Sequence, residues 1–138
     1  MYRIIILITA LSLALIAQPS LASESPKFAE EYSVSDSDKA IRDMASIVFF
    51  MEHYVVSNDK KLLKAFTKNE KLSQNVRTIA EAIVNIQHKP LYSDIEKLQA
   101  IFRSEKSNVS EQELAYIISN FRYKPSAKDK STLKGIIK

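Results

Sequence analysis

The chain has no cysteine among its 138 residues and a single glycine, Gly135. Without a thiol it can form no disulfide and cannot be acylated as a lipoprotein, so we expect its core alone to hold the fold. P-loops, dinucleotide fingerprints and G-x-S-x-G nucleophile elbows all need closely spaced glycines for tight turns and close backbone approach. The composition therefore excludes these three kinds of site.

The scarcity of glycine, together with only four prolines, also bears on the fold class. Tight β-hairpins use glycine and Asn-Gly dipeptides, so an all-β fold is disfavoured. Apolar residues instead recur at three- and four-residue steps, which is typical of amphipathic helices. We predict an all-α protein, either a small helical bundle or a compact α-orthogonal domain of five or six helices, with no internal repeat.

The first 22 residues have the composition of a bacterial secretion signal. Arg3 precedes an apolar run over residues 4–17, and residues 20–22 (Ser-Leu-Ala) place small side chains where a signal peptidase cleaves. The run is shorter than the roughly 20 apolar residues that a membrane-spanning helix needs. We therefore expect a cleaved signal at 1–22, a flexible leader at 23–34, no membrane span after cleavage, and a periplasmic or secreted protein.

The mature chain is expected to contain a helical domain at 35–124 and a basic C-terminal segment at 125–138. That segment either docks as a short helix or frays. The apolar spacing leaves open whether residues 59–88 form one kinked helix or two. The predicted helices lie at residues 38–57, 59–66 and 70–88, with two more starting at the capping boxes 93–96 and 110–113. Asn58 and Asn108 are predicted to take the left-handed conformation in place of glycine.

Positive charge is concentrated in the second part of the chain. Residues 60–138 carry 16 basic and 8 acidic side chains, whereas residues 23–59 carry 3 and 8. Basic stripes attract phosphates and other anions, although a solvated helix face explains exposed lysines equally well. The candidate anion-binding or partner-binding residues are Lys60, Lys61, Lys64, Lys68, Lys71, Arg122, Lys124, Lys128 and Lys130. If the helix is continuous, four of the first five share one face.

Histidine is the remaining candidate for chemistry, and the chain has two. Glu52 and His53 fall within the most apolar predicted helix, where adjacent residues point in different directions and no second zinc-binding histidine follows. We interpret this pair as a polar seam of a buried helix. His88 is expected to bind the last carbonyls of its helix. The sequence predicts no catalytic residue, no metal site and no cofactor, haem included.

These patterns favour a non-enzymatic binding or interaction protein of the bacterial envelope, of the adaptor, assembly-factor, inhibitor or immunity type. Its partner would be another envelope protein. A first alternative is a salt-sensitive binder of anionic envelope polymer, lipid headgroups or nucleic acid through the lysine-rich face. A second alternative is an envelope enzyme that uses carboxylates on a helical scaffold.

Overall fold

The structure, a computed structural model, describes residues 35–138, so the predicted signal and leader lie outside the described residues. Within this range all regular structure is helical and no strand occurs, which confirms the all-α prediction. None of these helices has the length and apolar character needed to cross a membrane. The helices are α1 (Asp36–Phe50), α2 (Ser57–Lys68), α3 (Gln74–Val84), α4 (Tyr92–Arg103), α5 (Val109–Ser119) and α6 (Ala127–Ile137).

The helices pack as three pairs, α2 with α3, α4 with α5, and α1 with α6. The first two pairs are hairpins joined by short loops. The third pair is formed by the first and last helices of the described range, so it has no connecting loop. Leu133 and Ile136 of α6 are buried against this arrangement. The C-terminal segment therefore docks as a helix.

A repeat of 35 residues underlies the three pairs, so the expectation of no internal repeat is wrong. At three positions all copies hold the same residue. These are the buried alanines Ala45, Ala80 and Ala115, the buried leucines Leu63, Leu98 and Leu133, and the aspartates Asp59, Asp94 and Asp129. Elsewhere the copies preserve burial rather than identity, because a core position accepts different apolar side chains of similar volume.

The three segments that join the pairs meet at one end of the bundle. We call residues 52–54, 87–89 and 122–124 the axial turns. The His53 N–H donates to the Tyr123 carbonyl oxygen (2.6 Å), the Tyr123 N–H to that of His88 (2.7 Å), and the His88 N–H to that of His53 (2.7 Å). The three turns are thereby linked by a closed ring of backbone hydrogen bonds.

Each axial turn is unusually tight. Its central residue, His53, His88 or Tyr123, has a positive φ of 63°, 66° or 63°. In the first turn the Tyr54 N–H donates to the Glu52 carbonyl oxygen at 2.6 Å, and the third turn repeats this bond at 2.6 Å. When such a bond closes a turn of three residues and the central residue has a positive φ, the turn is a γ-turn of the rare, strained kind. The hydrogen-bonded ring supplies the outside support that such strained backbone needs.

The residues with a positive φ are therefore not Asn58 and Asn108, for which the sequence predicted the left-handed conformation. Asn58 lies inside α2, and Asn108 caps α5 with a φ of −72°. Non-glycine residues adopt a positive φ where surrounding contacts over-determine it. In this fold those contacts come from the other two turns rather than from the local sequence.

Several predicted helix boundaries also shift. α1 ends at Phe50 instead of residue 57, because the first axial turn follows it directly. Residues 59–88 form two helices and not one, since α2 ends at Lys68 and α3 begins at Gln74. Neither capping box forms where it is predicted. α4 begins after Leu91, which makes no side-chain cap, and the box of α5 is formed by Asn108 and Glu111.

A polar cluster holds the opposite end of the bundle together. Glu111 is buried and accepts hydrogen bonds from the Asn75 Nδ2 (2.9 Å) and the Ser73 Oγ (3.3 Å). It also accepts one from the Asn108 N–H as part of its capping box (3.3 Å). Buried polar groups are tolerated when they are hydrogen-bonded in this way. The cluster therefore ties α3 to α5 and has a structural role.

Candidate binding surface at the axial turns

The side chains at the centres of the axial turns form one exposed cluster. The ring centroids of His53 and His88 lie 5.1 Å apart, and the Tyr123 ring lies 5.7 Å from the first and 5.5 Å from the second. All three residues are exposed. A positive φ costs a non-glycine residue about 1 kcal/mol or more, which glycine would avoid. Each copy nevertheless carries a large planar side chain here, which points to a use for these rings at the surface.

Exposed apolar residues are concentrated around the same turns. Six of the eleven large hydrophobic residues that are exposed in the described range lie in these turns or next to them. They are Phe50, Tyr54, Val56, Leu91, Tyr92 and Tyr123. Phe50 and Tyr92 are each 77% exposed, which is unusual for large rings on a surface with no partner. Exposed apolar groups gathered in one place commonly mark an interaction site.

Next to the second and third axial turns lies a cleft of about 780 Å³, which we call the basic cleft. Four cations line it, Lys60 and Lys64 from α2 and Lys89 and Arg122 from the axial turns. No aspartate or glutamate is among its lining residues. Four like charges around one hollow produce a local positive potential, so the cleft favours an anionic group.

The first axial turn has the equivalent hollow, of about 420 Å³, but with different charges. Glu52 and Asp59 line it, and it contains no lysine or arginine. The 35-residue repeat therefore places a hollow beside corresponding residues of two turns, and the side chains give the two hollows opposite charge. A smaller hollow of about 260 Å³, lined by Tyr54, Lys60 and His88, lies between the basic cleft and the exposed rings.

The structure brings together three of the predicted anion-binding residues, Lys60, Lys64 and Arg122. They come from two clusters that the sequence presented as separate. The condition for a face of four lysines, a continuous helix, is not met, because α2 ends at Lys68 and Lys71 follows in the loop. Lys61 and Lys68 are exposed outside the basic cleft.

The remaining predicted cations lie elsewhere. Lys124 belongs to the third axial turn, and Lys128 lines a small hollow with Phe102 and Glu113. The Lys130 Nζ lies 5.2 Å from the centroid of the Phe49 ring, within the range of a cation–π contact. These three residues do not line the basic cleft.

Sequence reasoning missed Lys89, which lines the cleft directly after the central residue of the second turn. In the sequence, Lys89 directly precedes Pro90 and falls at the predicted end of a helix. The 35-residue offset would have revealed it, because it aligns Lys89 with Lys124 and His88 with His53 and Tyr123.

The predicted polar seam is also wrong, since Glu52 and His53 are exposed in the first axial turn. His88 likewise lies in a turn beyond the end of its helix. Its backbone N–H donates to the His53 carbonyl oxygen, and its ring contacts the His53 ring, not the last carbonyls of its own helix as predicted. Among residues 35–138 no three histidine, aspartate or glutamate side chains gather closely enough to hold a metal ion. Comparison of the chain with protein-family models, with curated proteins and with solved structures finds no match.

Proposed function

We propose that this is an exported, non-enzymatic binding protein of the bacterial envelope, and that the axial-turn end of the bundle binds another protein. The observation that carries the proposal is the clustering of six exposed hydrophobic residues beside a cleft with four cations. Protein interfaces are enriched in tyrosine, phenylalanine and arginine at their centres. The predicted secretion signal supports the location.

The chemistry of this surface indicates what the partner presents. Exposed rings such as Phe50 and Tyr92 offer apolar contact area, and the basic cleft offers positive charge. A complementary segment would therefore combine apolar side chains with aspartate or glutamate. Charge complementarity of this kind speeds association, while the apolar anchors supply most of the affinity.

The test is capture of the partner from envelope extract with matched surface variants. Phe50→Ser with Tyr92→Ser should abolish capture, because it removes two exposed rings beside the axial turns. The control, Val109→Ser with Tyr116→Ser, removes two exposed hydrophobic residues elsewhere and should retain the partner. Capture that survives the first double variant, or is lost in both, would contradict the proposed surface.

The basic cleft favours a second candidate function, the binding of an anionic envelope polymer, lipid headgroups or nucleic acid. Its four cations face no carboxylate in the cleft. Such binding weakens as salt is added, because bound cations release the counterions of the polyanion.

For this second function we predict that removing cations of the basic cleft weakens polyanion binding and makes that binding less dependent on salt. Replacing Lys60, Lys64 and Lys89 by glutamine should lower elution from heparin and reduce the slope of log affinity against log salt by roughly 2–3. Replacing Lys68, Lys71 and Lys128 by glutamine changes the net charge equally and should have little effect. Equal shifts in both triple variants would assign the binding to net charge, and no retention of the wild type would remove this function.

A further inference from the structure

The Nδ1 atoms of His53 and His88 lie 3.0 Å apart on two exposed rings from different axial turns. We propose that these two nitrogens chelate one divalent transition-metal ion. The proposal goes beyond protein binding and does not depend on it, because metal binding is measured without a partner.

The separation of the two nitrogens fits a particular coordination geometry. Imidazole nitrogens lie about 2.0–2.1 Å from a bound metal ion, so two of them 3.0 Å apart subtend roughly 90° at the ion. That is the angle between neighbouring ligands in square-planar and octahedral sites, and it is narrower than a tetrahedral angle. Cu²⁺ and Ni²⁺ favour tetragonal sites with nitrogen and oxygen ligands, so they fit better than Zn²⁺.

The backbone already holds both rings in place. His53 and His88 are the centres of their turns, and the His88 N–H donates to the His53 carbonyl oxygen within the closed ring of hydrogen bonds. Because the backbone already brings the two nitrogens together, chelation requires only a rotation of the rings, which lowers its entropic cost. Without metal, the short contact needs a proton on one Nδ1 and a lone pair on the other. When a metal ion takes the place of that proton, the proton passes through solvent to the Nε2 of the same ring, so both rings coordinate as neutral imidazoles with Nε2 protonated.

Two features indicate that the metal site is open and of modest affinity. The equivalent third position holds Tyr123, so no third imidazole is present, and solvent would complete the coordination. Lys60 lines a hollow together with His88, and Lys89 is adjacent in sequence. These cations oppose the binding of a positive ion. The open coordination positions remain accessible to ligands from outside the chain.

The test is calorimetric titration of the untagged mature protein with Cu²⁺, Ni²⁺ and Zn²⁺ in turn. We expect one ion per chain, with affinity falling from Cu²⁺ to Ni²⁺ to Zn²⁺. His53→Asn and His88→Asn should each lower the affinity at least about tenfold, since each removes one ligand while asparagine still tolerates a positive φ. The electron paramagnetic resonance spectrum of the wild-type Cu²⁺ complex should show nitrogen couplings from two imidazoles. The spectrum of each histidine variant should show couplings from one.

Tyr116→Asn is the matched control. It replaces an exposed ring outside the axial turns by the same side chain, and it should leave the affinity within about threefold of wild type because both imidazoles remain. Binding that is absent, or unchanged in both histidine variants, would overturn the proposal and leave the 3.0 Å contact as a hydrogen bond between the rings. An equal loss in Tyr116→Asn would also overturn it, by showing that binding does not depend on the two imidazoles in particular.

Discussion

Replacing Leu133 by alanine is expected to lower the free energy of unfolding by about 2–5 kcal/mol. Leu133 has no exposed surface, and the helix that carries it, α6, packs against α1, the first helix of the described range. Truncation removes buried methyl groups and leaves a cavity between the two helices that complete the bundle. Urea denaturation of the mature protein, followed by circular dichroism, measures the change.

Ile137→Ala is the control on the same helix. Ile137 is 36% exposed, so its truncation should cost less than about 1 kcal/mol. Leu63→Ala and Leu98→Ala, at the equivalent buried positions, should fall in the same range as Leu133→Ala. A small effect at Leu133 with large effects at the other two leucines would show that the last helix does not complete the bundle.

Replacing His53 by proline is expected to cost about 3 kcal/mol or more. Proline requires a φ near −65°, whereas His53 has a φ of 63°. It also lacks the N–H that donates to the Tyr123 carbonyl oxygen. The substitution therefore opens the hydrogen-bonded ring that links the axial turns. Thermal and urea unfolding of the mature protein both report the loss.

His53→Asn separates the contribution of the backbone to the free energy of unfolding from that of the imidazole side chain. Asparagine tolerates a positive φ and keeps the N–H, so only the contacts of the imidazole ring are lost, including its Nδ1 contact with His88. We expect a cost within about 1.5 kcal/mol, the upper range for such ring pairs. Equal destabilisation by proline and asparagine would mean that the tight turn and its hydrogen bonds contribute little.

Some features of the fold depend only on residues that are close together in the sequence. The recurrence of apolar residues at helical spacing predicted the helical class and much of the core, including Met44 and Val48 in α1 and Ile79 and Ile83 in α3. Such spacing depends on a few neighbouring residues, so it can be read directly from the chain. The prediction that Pro90 ends its helix at residue 88 is wrong, because α3 already ends at Val84.

The repeat was present in the sequence but weak. Alanine, leucine and aspartate each recur three times at 35-residue spacing, while every other aligned position varies among the copies. The central residues of the turns, His53, His88 and Tyr123, are not the glycine or asparagine that usually marks a positive φ. Local turn chemistry therefore gave no indication of where the left-handed residues lie.

By itself, the sequence determined the helical class, the apolar faces of the helices and the regional excess of positive charge, all of which depend on local composition and spacing. Tertiary structure alone decided that α1 pairs with α6, that Lys60 and Arg122 share a cleft, and that two imidazole nitrogens lie 3.0 Å apart. The physical reason is that the axial turns are held by hydrogen bonds between residues 35 or more positions apart. Those bonds set the strained backbone and the direction of its side chains.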